Sequence, residues 1–172
     1  MALNVVSNAG PLMVFSKLNV LHLLKELYGR VDFPLSVYRE TVSAGISRSF
    51  ADAQILDSFF LQNNWKPARE IEMPMDLKAA NLDRGEKESI ALALSKKELL
   101  LMDEERGRNY ARQKNLQVRG SLGILIEAYA RKLISEDQLR LYFQQISERK
   151  DIWINPDLCV RLLEEIFGYD PS

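Results

Sequence analysis

Carboxylates are the reagents this chain holds in quantity. Its 172 residues include 24 Asp and Glu but a single His, His22, and a single Cys, Cys159. A Cys/His zinc centre, a histidine cluster and an internal disulfide cannot be assembled from that inventory. Any Ser-His-Asp or Cys-His nucleophile would have to run through His22. The 8 glycines form no GxGxxG or GxxxxGK[ST] loop to cradle phosphates. Acids gathered without imidazole or thiolate make a hard, oxygen-only site, the kind that suits Mg²⁺ or Mn²⁺. The formal net charge of −1 neither favours nor excludes nucleic acid, because a basic face can hide in a neutral total.

Position separates the acids that could act together from those that merely solvate. Leu3–Val6 is a short apolar run that ends in Ser7-Asn8-Ala9-Gly10-Pro11, a strand followed by a turn into a helix near Pro11. Leu99–Met102 is apolar without alternation, as a strand buried on both faces should be, and Asp103 ends it. Ligands of open parallel sheets bind beyond the carboxyl ends of the strands, where Asn8 and Asp103 stand. Glu86 lies one turn before Ile90 on the apolar stripe of a helix, which predicts an inward side chain. Glu40 falls between Val37 and Ala44 on the packed side of a helix opened by Pro34 and closed by Gly45.

The remaining periodicities supply the frame. Helices are predicted over 18–28, 50–62, from Glu104 onward, from Leu122, over 136–147 and over 156–167, with weak strands at 31–33 and 116–118 and a poor edge segment at 65–73. Short strands alternate with helices and no Asn-Gly hairpin signal occurs, so the fold class is α/β with a mainly parallel sheet. One domain over 1–172 is expected, with the helices of about 135–168 packed on its flank or used in assembly. The opening segment has no basic start and falls short of the ~20 apolar residues of a membrane span. Together with the lone Cys this leads to the expectation of a cytoplasmic protein without a membrane partner.

Each residue also has a plainer reading. Asp83 and Glu86 make a capping box. Asp103 and Asn8 could cap the helices that follow them, and Glu40 could be solvated. His22 reads as core-edge packing and Cys159 as a small buried hydrophobe. Arg106, Arg108 and Arg112 form a charged helix face, but a phosphate backbone approaching Asp103 would meet them, with Lys96 a further phosphate contact.

Five segments in order, SNAGPL at 7–12, VYRETV at 37–42, LDRGEKESIALAL at 82–94, LLLMDEERGR at 99–108 and VRGSLGIL at 118–125, resemble the motifs of PIN domains. The closest likeness is to a compact prokaryotic branch with an RGE motif and a GSLG turn. The resemblance implies a three-layer α/β/α fold and a metal-dependent nuclease, usually a ribonuclease, often the toxin of a toxin–antitoxin pair. It assigns Glu40, Glu86 and Asp103 as catalytic acids, and Asn8, Glu86 and Asp103 as ligands of Mg²⁺ or Mn²⁺. Ser7 and Ser121 fall near the metal, and Arg106 and Arg108 near the substrate. Asn8 departs from the usual acid, keeping a carbonyl oxygen but no charge, and Glu104 or Glu105 could supply that charge. The implied partners are an RNA substrate, a small antitoxin and a second copy of the chain. A PIN-fold RNA- or protein-binding module with little catalysis is the alternative. A phospho-acceptor domain acting at Asp103 would need paired acids after the first strand, and Ser7-Asn8 is not such a pair.

Overall fold

The computed structural model describes residues 4–97 and 99–169. Leu3, where the first predicted strand begins, lies outside them. Three strands form one parallel sheet: β1 (Val5–Ser7), β2 (Leu99–Leu101) and β3 (Val118–Arg119), in the order β1-β2-β3. Val5 pairs with Leu99 and Leu100 with Val118. Every residue of β1 and β2 is buried, which is why neither strand alternates. The weak strand at 31–33 contributes one parallel bridge, Val6 with Asp32, and the 65–73 segment another, Pro34 with Ala68. Pro34 and Pro67 lack the N–H that a longer ladder would need. The α/β class with a parallel sheet is therefore observed.

By internal contacts the chain divides into two compact units, 1–121 and 122–172. The first holds the sheet with α1 (Ala9–Lys17), α2 (Leu21–Tyr28), α3 (Leu35–Tyr38), a π-helical turn (Arg39–Ser43), α4 (Ala44–Ser47), α5 (Ala51–Gln62), α6 (Met75–Ala79), α7 (Arg84–Lys96) and α8 (Glu105–Gln113). α7 packs on β1, β2, α3 and α8. Its residues Ile90, Ala91 and Ala93 join Val6, Leu100, Met102 and Ala111 in a continuous core. The helix predicted over 18–28 begins only at Leu21, because Asn19 takes a left-handed φ of 57° and separates it from α1. The helix predicted from Pro34 to Gly45 is interrupted by the wide turn at 39–43, and α6 was not anticipated.

The second unit contains most of α9 (Ser121–Ala130), with α10 (Glu136–Glu148) and α11 (Pro156–Phe167). α10 and α11 pack together, burying Leu139, Phe143, Ile146 and Cys159. Ser135 and Gln138 close a full capping box on α10. Phe167 meets the Tyr129 ring edge-on at 5.3 Å and the Arg140 guanidinium at 4.5 Å. Among the described residues no helix is long and apolar enough to cross a membrane.

An aromatic group anchors the segment that leads to Glu40. Phe33 stacks on Phe60 with centroids 4.3 Å apart, and Phe60 also faces Tyr38 at 6.3 Å and Trp65 at 6.4 Å. The Tyr38 hydroxyl donates to Asp57 on α5 (2.9 Å). Phe60 is 2% exposed, so Phe60→Ala removes a ring from three partners and leaves a cavity. The expected loss of stability is about 3–5 kcal/mol, read by urea denaturation; a loss under about 1 kcal/mol would show that the site can collapse around the gap.

Candidate active site

The capping reading of α7 holds in full. Asp83 Oδ1 accepts from the Glu86 backbone N–H at 2.8 Å, and Glu86 Oε2 accepts from the Asp83 N–H at 2.8 Å. This reciprocal pair commits one oxygen of each carboxylate and fixes the Glu86 side chain against the helix start. The other oxygen, Oε1, points toward α8, 3.4 Å from where a Cβ on Gly107 would stand. Glu86 is 7% exposed, as its stripe position predicted.

Gly85 is the point on which three elements converge. A Cβ built there would lie 3.1 Å from Glu40 Oε2, 3.5 Å from Asn8 Oδ1 and 3.5 Å from Asp83 Oδ1. Glycine here gives room to the Glu40 oxygen, while the Asn8 and Asp83 oxygens stand at ordinary contact distance from a Cβ.

Asn8 does not cap α1 with its side chain, contrary to the plainer reading; it stands at the N-cap position through its backbone alone. The residue is 5% exposed, and among the described residues the side-chain amide has one polar partner, the Ser89 hydroxyl, 3.4 Å from Oδ1. The single proton of that hydroxyl goes to the Gly85 carbonyl at 2.7 Å, which leaves the Asn8 oxygen only a contact. A buried amide so weakly satisfied is costly unless it has a further function.

Glu40 sits on the π-turn, in a cleft of about 380 Å³ lined by Ser36, Arg39, Glu40, Asp83, Arg84 and Gly85. The residue is exposed rather than on a packed side. Such wide turns are frequent at functional positions. Thr41 Oγ1 donates to the Val37 carbonyl (2.8 Å) where the turn interrupts the helical pattern. Glu40 itself accepts no hydrogen bond and makes no ion pair among the described residues. Although the residue as a whole is exposed, protein atoms around its carboxyl displace part of its water; that desolvation, then the charges of Asp83, Glu86 and Glu104, push the carboxyl above the ordinary range. Burial also raises the Glu86 carboxyl; the bond from the Asp83 backbone and the charge of Arg106 oppose this, and Asp83 and Glu104 add to it.

Asp103 ends β2 but does not cap α8, whose N-cap is Glu104. Its carboxylate holds the first residue of α9 instead: Oδ1 accepts from the Ser121 N–H at 2.7 Å and Oδ2 from the Ser121 hydroxyl at 2.6 Å. Gly10 and Gly120 enclose it so closely that a Cβ at either would fall 3.1 Å from Oδ2 or 3.0 Å from Oδ1. Burial raises its carboxyl, against the pull of Ser121 and of the Arg108 charge. The acids therefore form two neighbourhoods, Glu40, Asp83 and Glu86 with Glu104 beyond them, and Asp103 with Ser121 and Arg108. Among the described residues no three His, Cys, Asp or Glu side chains are already drawn into a metal-holding group.

The other predicted residues fall as follows. Ser7 is buried and its hydroxyl donates to the Asn8 carbonyl (2.9 Å). Arg106 and Glu105 are exposed on α8. Lys96 is committed to Asp32 at 2.8 Å. His22 is exposed beside an open groove with Ile55 and Phe59, so its core-edge reading is corrected. Cys159 is buried as expected, and burial raises its thiol pKa. Sequence reasoning missed Asp83 as a member of the acidic group. The signal was present in DRGE, where both ends of the capping box are acids.

A family model described as DUF3368, PIN domain, matches residues 4–167. This chain belongs to the PIN domain family. PIN domains are generally nucleases and typically use divalent metal ions. No curated protein matches this one significantly.

The donor set of this PIN domain fits a hard divalent cation in chemistry. Asn8, Glu40, Asp83, Glu86 and Asp103 offer oxygen only, the Asn8 amide is poorly satisfied, and the Glu40 carboxylate faces like charges. Asn8→Asp would add a further negative charge beside Gly85. Two such charges ~4 Å apart repel by about 4 kcal/mol at an effective dielectric near 20. The variant is expected to be less stable without metal and to bind Mn²⁺ more tightly than wild type. Thermal melts with EDTA and with Mn²⁺ check both; equal stability in EDTA and no gain in Mn²⁺ affinity would count against this placement.

Proposed function

We propose that this PIN domain is a Mg²⁺- or Mn²⁺-dependent ribonuclease hydrolysing phosphodiester bonds, and the toxin-like half of a toxin–antitoxin pair. The observation that carries the reading is the convergence of Asn8, Glu40 and Asp83 oxygens around Gly85, beside the capping-box acid Glu86. Glu86, Asp103 and Asn8 would hold the ion. A divalent ion bound there supplies a water of lowered pKa and offsets charge on the phosphate.

The chain's own residues do the rest. Glu40, whose carboxyl is raised by burial and by neighbouring acids, orients the attacking water and takes its proton. Ser121 fixes both oxygens of Asp103, so the ligand is held by a hydrogen-bonded residue rather than by the ion alone. Arg106 and Arg108 attract the phosphate backbone without reading sequence. A small antitoxin, a homodimer and a cytoplasmic setting complete the proposal, supported by the family resemblance. A short reading frame immediately upstream would support the antitoxin.

A second reading, a PIN-fold RNA- or protein-binding module with little catalysis, is favoured by the amide at Asn8 and by the two hydrogen bonds already on Asp103. RNA cleavage in Mn²⁺ separates the two. The proposal expects cleavage by wild type and none by Asp103→Ala; RNA binding without cleavage by wild type supports the binding module, and equal cleavage by both proteins places the activity elsewhere.

A further inference from the structure

We propose that Arg39 binds a non-scissile backbone phosphate of a single nucleic-acid strand lying in the Glu40 cleft. The inference rests on the nuclease reading above and adds a positioning residue to it. Arg39 opens the π-turn and lines the cleft together with its neighbour Glu40. Ser36 Oγ donates to the Glu88 carboxylate at 2.5 Å, and Arg84 is tethered to the same carboxylate through Nε at 2.8 Å, while the rest of its guanidinium stays exposed. Arg39 is exposed, and its side chain makes no ion pair or hydrogen bond among the described residues, although Glu40 and Asp83 share its cleft. Its guanidinium is thus available to an anion from outside.

The cleft's own charges indicate which anion. Glu40 and Asp83 repel a phosphate that enters alone, so a strand crossing them needs a cation at the rim to hold the adjoining phosphate. A planar guanidinium grips phosphate through two parallel N–H bonds. At about 380 Å³ the open cleft is of a size to take one nucleotide of a strand.

The test is a fluorescence anisotropy titration of a labelled single-stranded RNA, and of its DNA counterpart, over a series of salt concentrations in EDTA. Wild type, Arg39→Gln, Arg39→Lys and Lys25→Gln are compared. Lys25 on α2 is outside the cleft lining and controls for lost charge. One lost phosphate contact lowers the slope of log affinity against log salt by about 0.7 for a single strand. Arg39→Gln should show that drop, with roughly 3- to 10-fold weaker binding at low salt. Arg39→Lys should restore most of the slope, and Lys25→Gln should leave it unchanged. In Mn²⁺, Arg39→Gln should raise KM by a similar factor with kcat unchanged. The tighter of the two nucleic acids identifies the source of the phosphate. An unchanged slope in Arg39→Gln, or the same drop in Lys25→Gln, overturns the inference while the nuclease reading stands. A wild type that neither binds nor cleaves either strand overturns both.

Discussion

Glu86→Gln is expected to keep the fold and lose the metal. The variant separates the helix cap this side chain makes from the metal-ligand role proposed for it. The cap on α7 needs only a carbonyl-type oxygen at this position, and Gln138 performs the same service in the second capping box, accepting from the Ser135 N–H at 2.8 Å. Stability without metal should therefore stay within about 1 kcal/mol of wild type. Mn²⁺ affinity should fall by at least about 100-fold, because loss of a direct ligand costs no less than loss of a supporting group. The pH dependence has a definite sign. The folded-state Glu86 and Glu40 carboxyls lie above their ordinary range, through burial first and then like charges. Their unfavourable contribution is fully present above the folded pKa values and fades as pH falls through them. Asp32 and Glu88 act the other way at lower pH. Burial disfavours their ionised forms, but Lys96 and Arg30, and Ser36 and Arg84, hold both below the ordinary range. Their contribution is present above the unfolded pKa and is lost as pH falls through the folded one. Melts in EDTA should therefore show wild type gaining stability from neutral into mildly acid pH and then losing it, with a smaller gain in Glu86→Gln. A variant that unfolds at neutral pH would mean that the charge, and not the cap, holds α7.

Gly85→Ala should do the reverse of an ordinary core mutation, leaving the protein stable and disabling its site. Gly85 is the second residue of α7, where alanine is the better helix former by up to about 1 kcal/mol. The added methyl falls 3.1 Å from Glu40 Oε2 and 3.5 Å from Asn8 Oδ1. Glu40 is exposed and can swing aside, so the strain is relieved in the metal-free state. A cation, however, needs those oxygens where they are. The expected result is an unchanged or higher Tm in EDTA, Mn²⁺ affinity lower by at least about 10-fold, and cleavage reduced with it. Wild type should gain about 2.7 kcal/mol from Mn²⁺ at 100 times its Kd, and a variant of 10-fold weaker affinity about 1.4 kcal/mol at that concentration. Equal protection of both proteins by Mn²⁺ would mean that the ion binds away from Gly85.

The strong local patterns were legible in the sequence. Leu99–Leu101 reads as a strand because a run buried on both faces leaves no alternation, and the capping box is a local motif with one geometry. The π-turn at 39–43 was not legible: nothing in RETVS distinguishes a wide turn from an ordinary one, yet that turn sets where Glu40 stands. The partner of Asp103 also depends on tertiary structure. A carboxylate one residue before a helical segment suggests capping of that segment, but the parallel pairing of β2 with β3 brings the start of α9 within reach instead. Asn8 shows the opposite case, a residue at an N-cap position whose side chain is turned to the site. His22 reads as core-edge packing because its neighbours are apolar, and one helical step places it outside.

The proposed activity of this PIN domain is RNA cleavage with a divalent ion held by the acids around Gly85 and at Asp103. Its most direct measurement is cleavage of a single-stranded RNA by wild type and Glu86→Gln after EDTA treatment, before and after Mn²⁺ is restored. No cleavage is expected from either protein in EDTA, and cleavage from wild type alone when Mn²⁺ returns. Equal cleavage by both proteins, or a wild type inert in Mn²⁺, would contradict it.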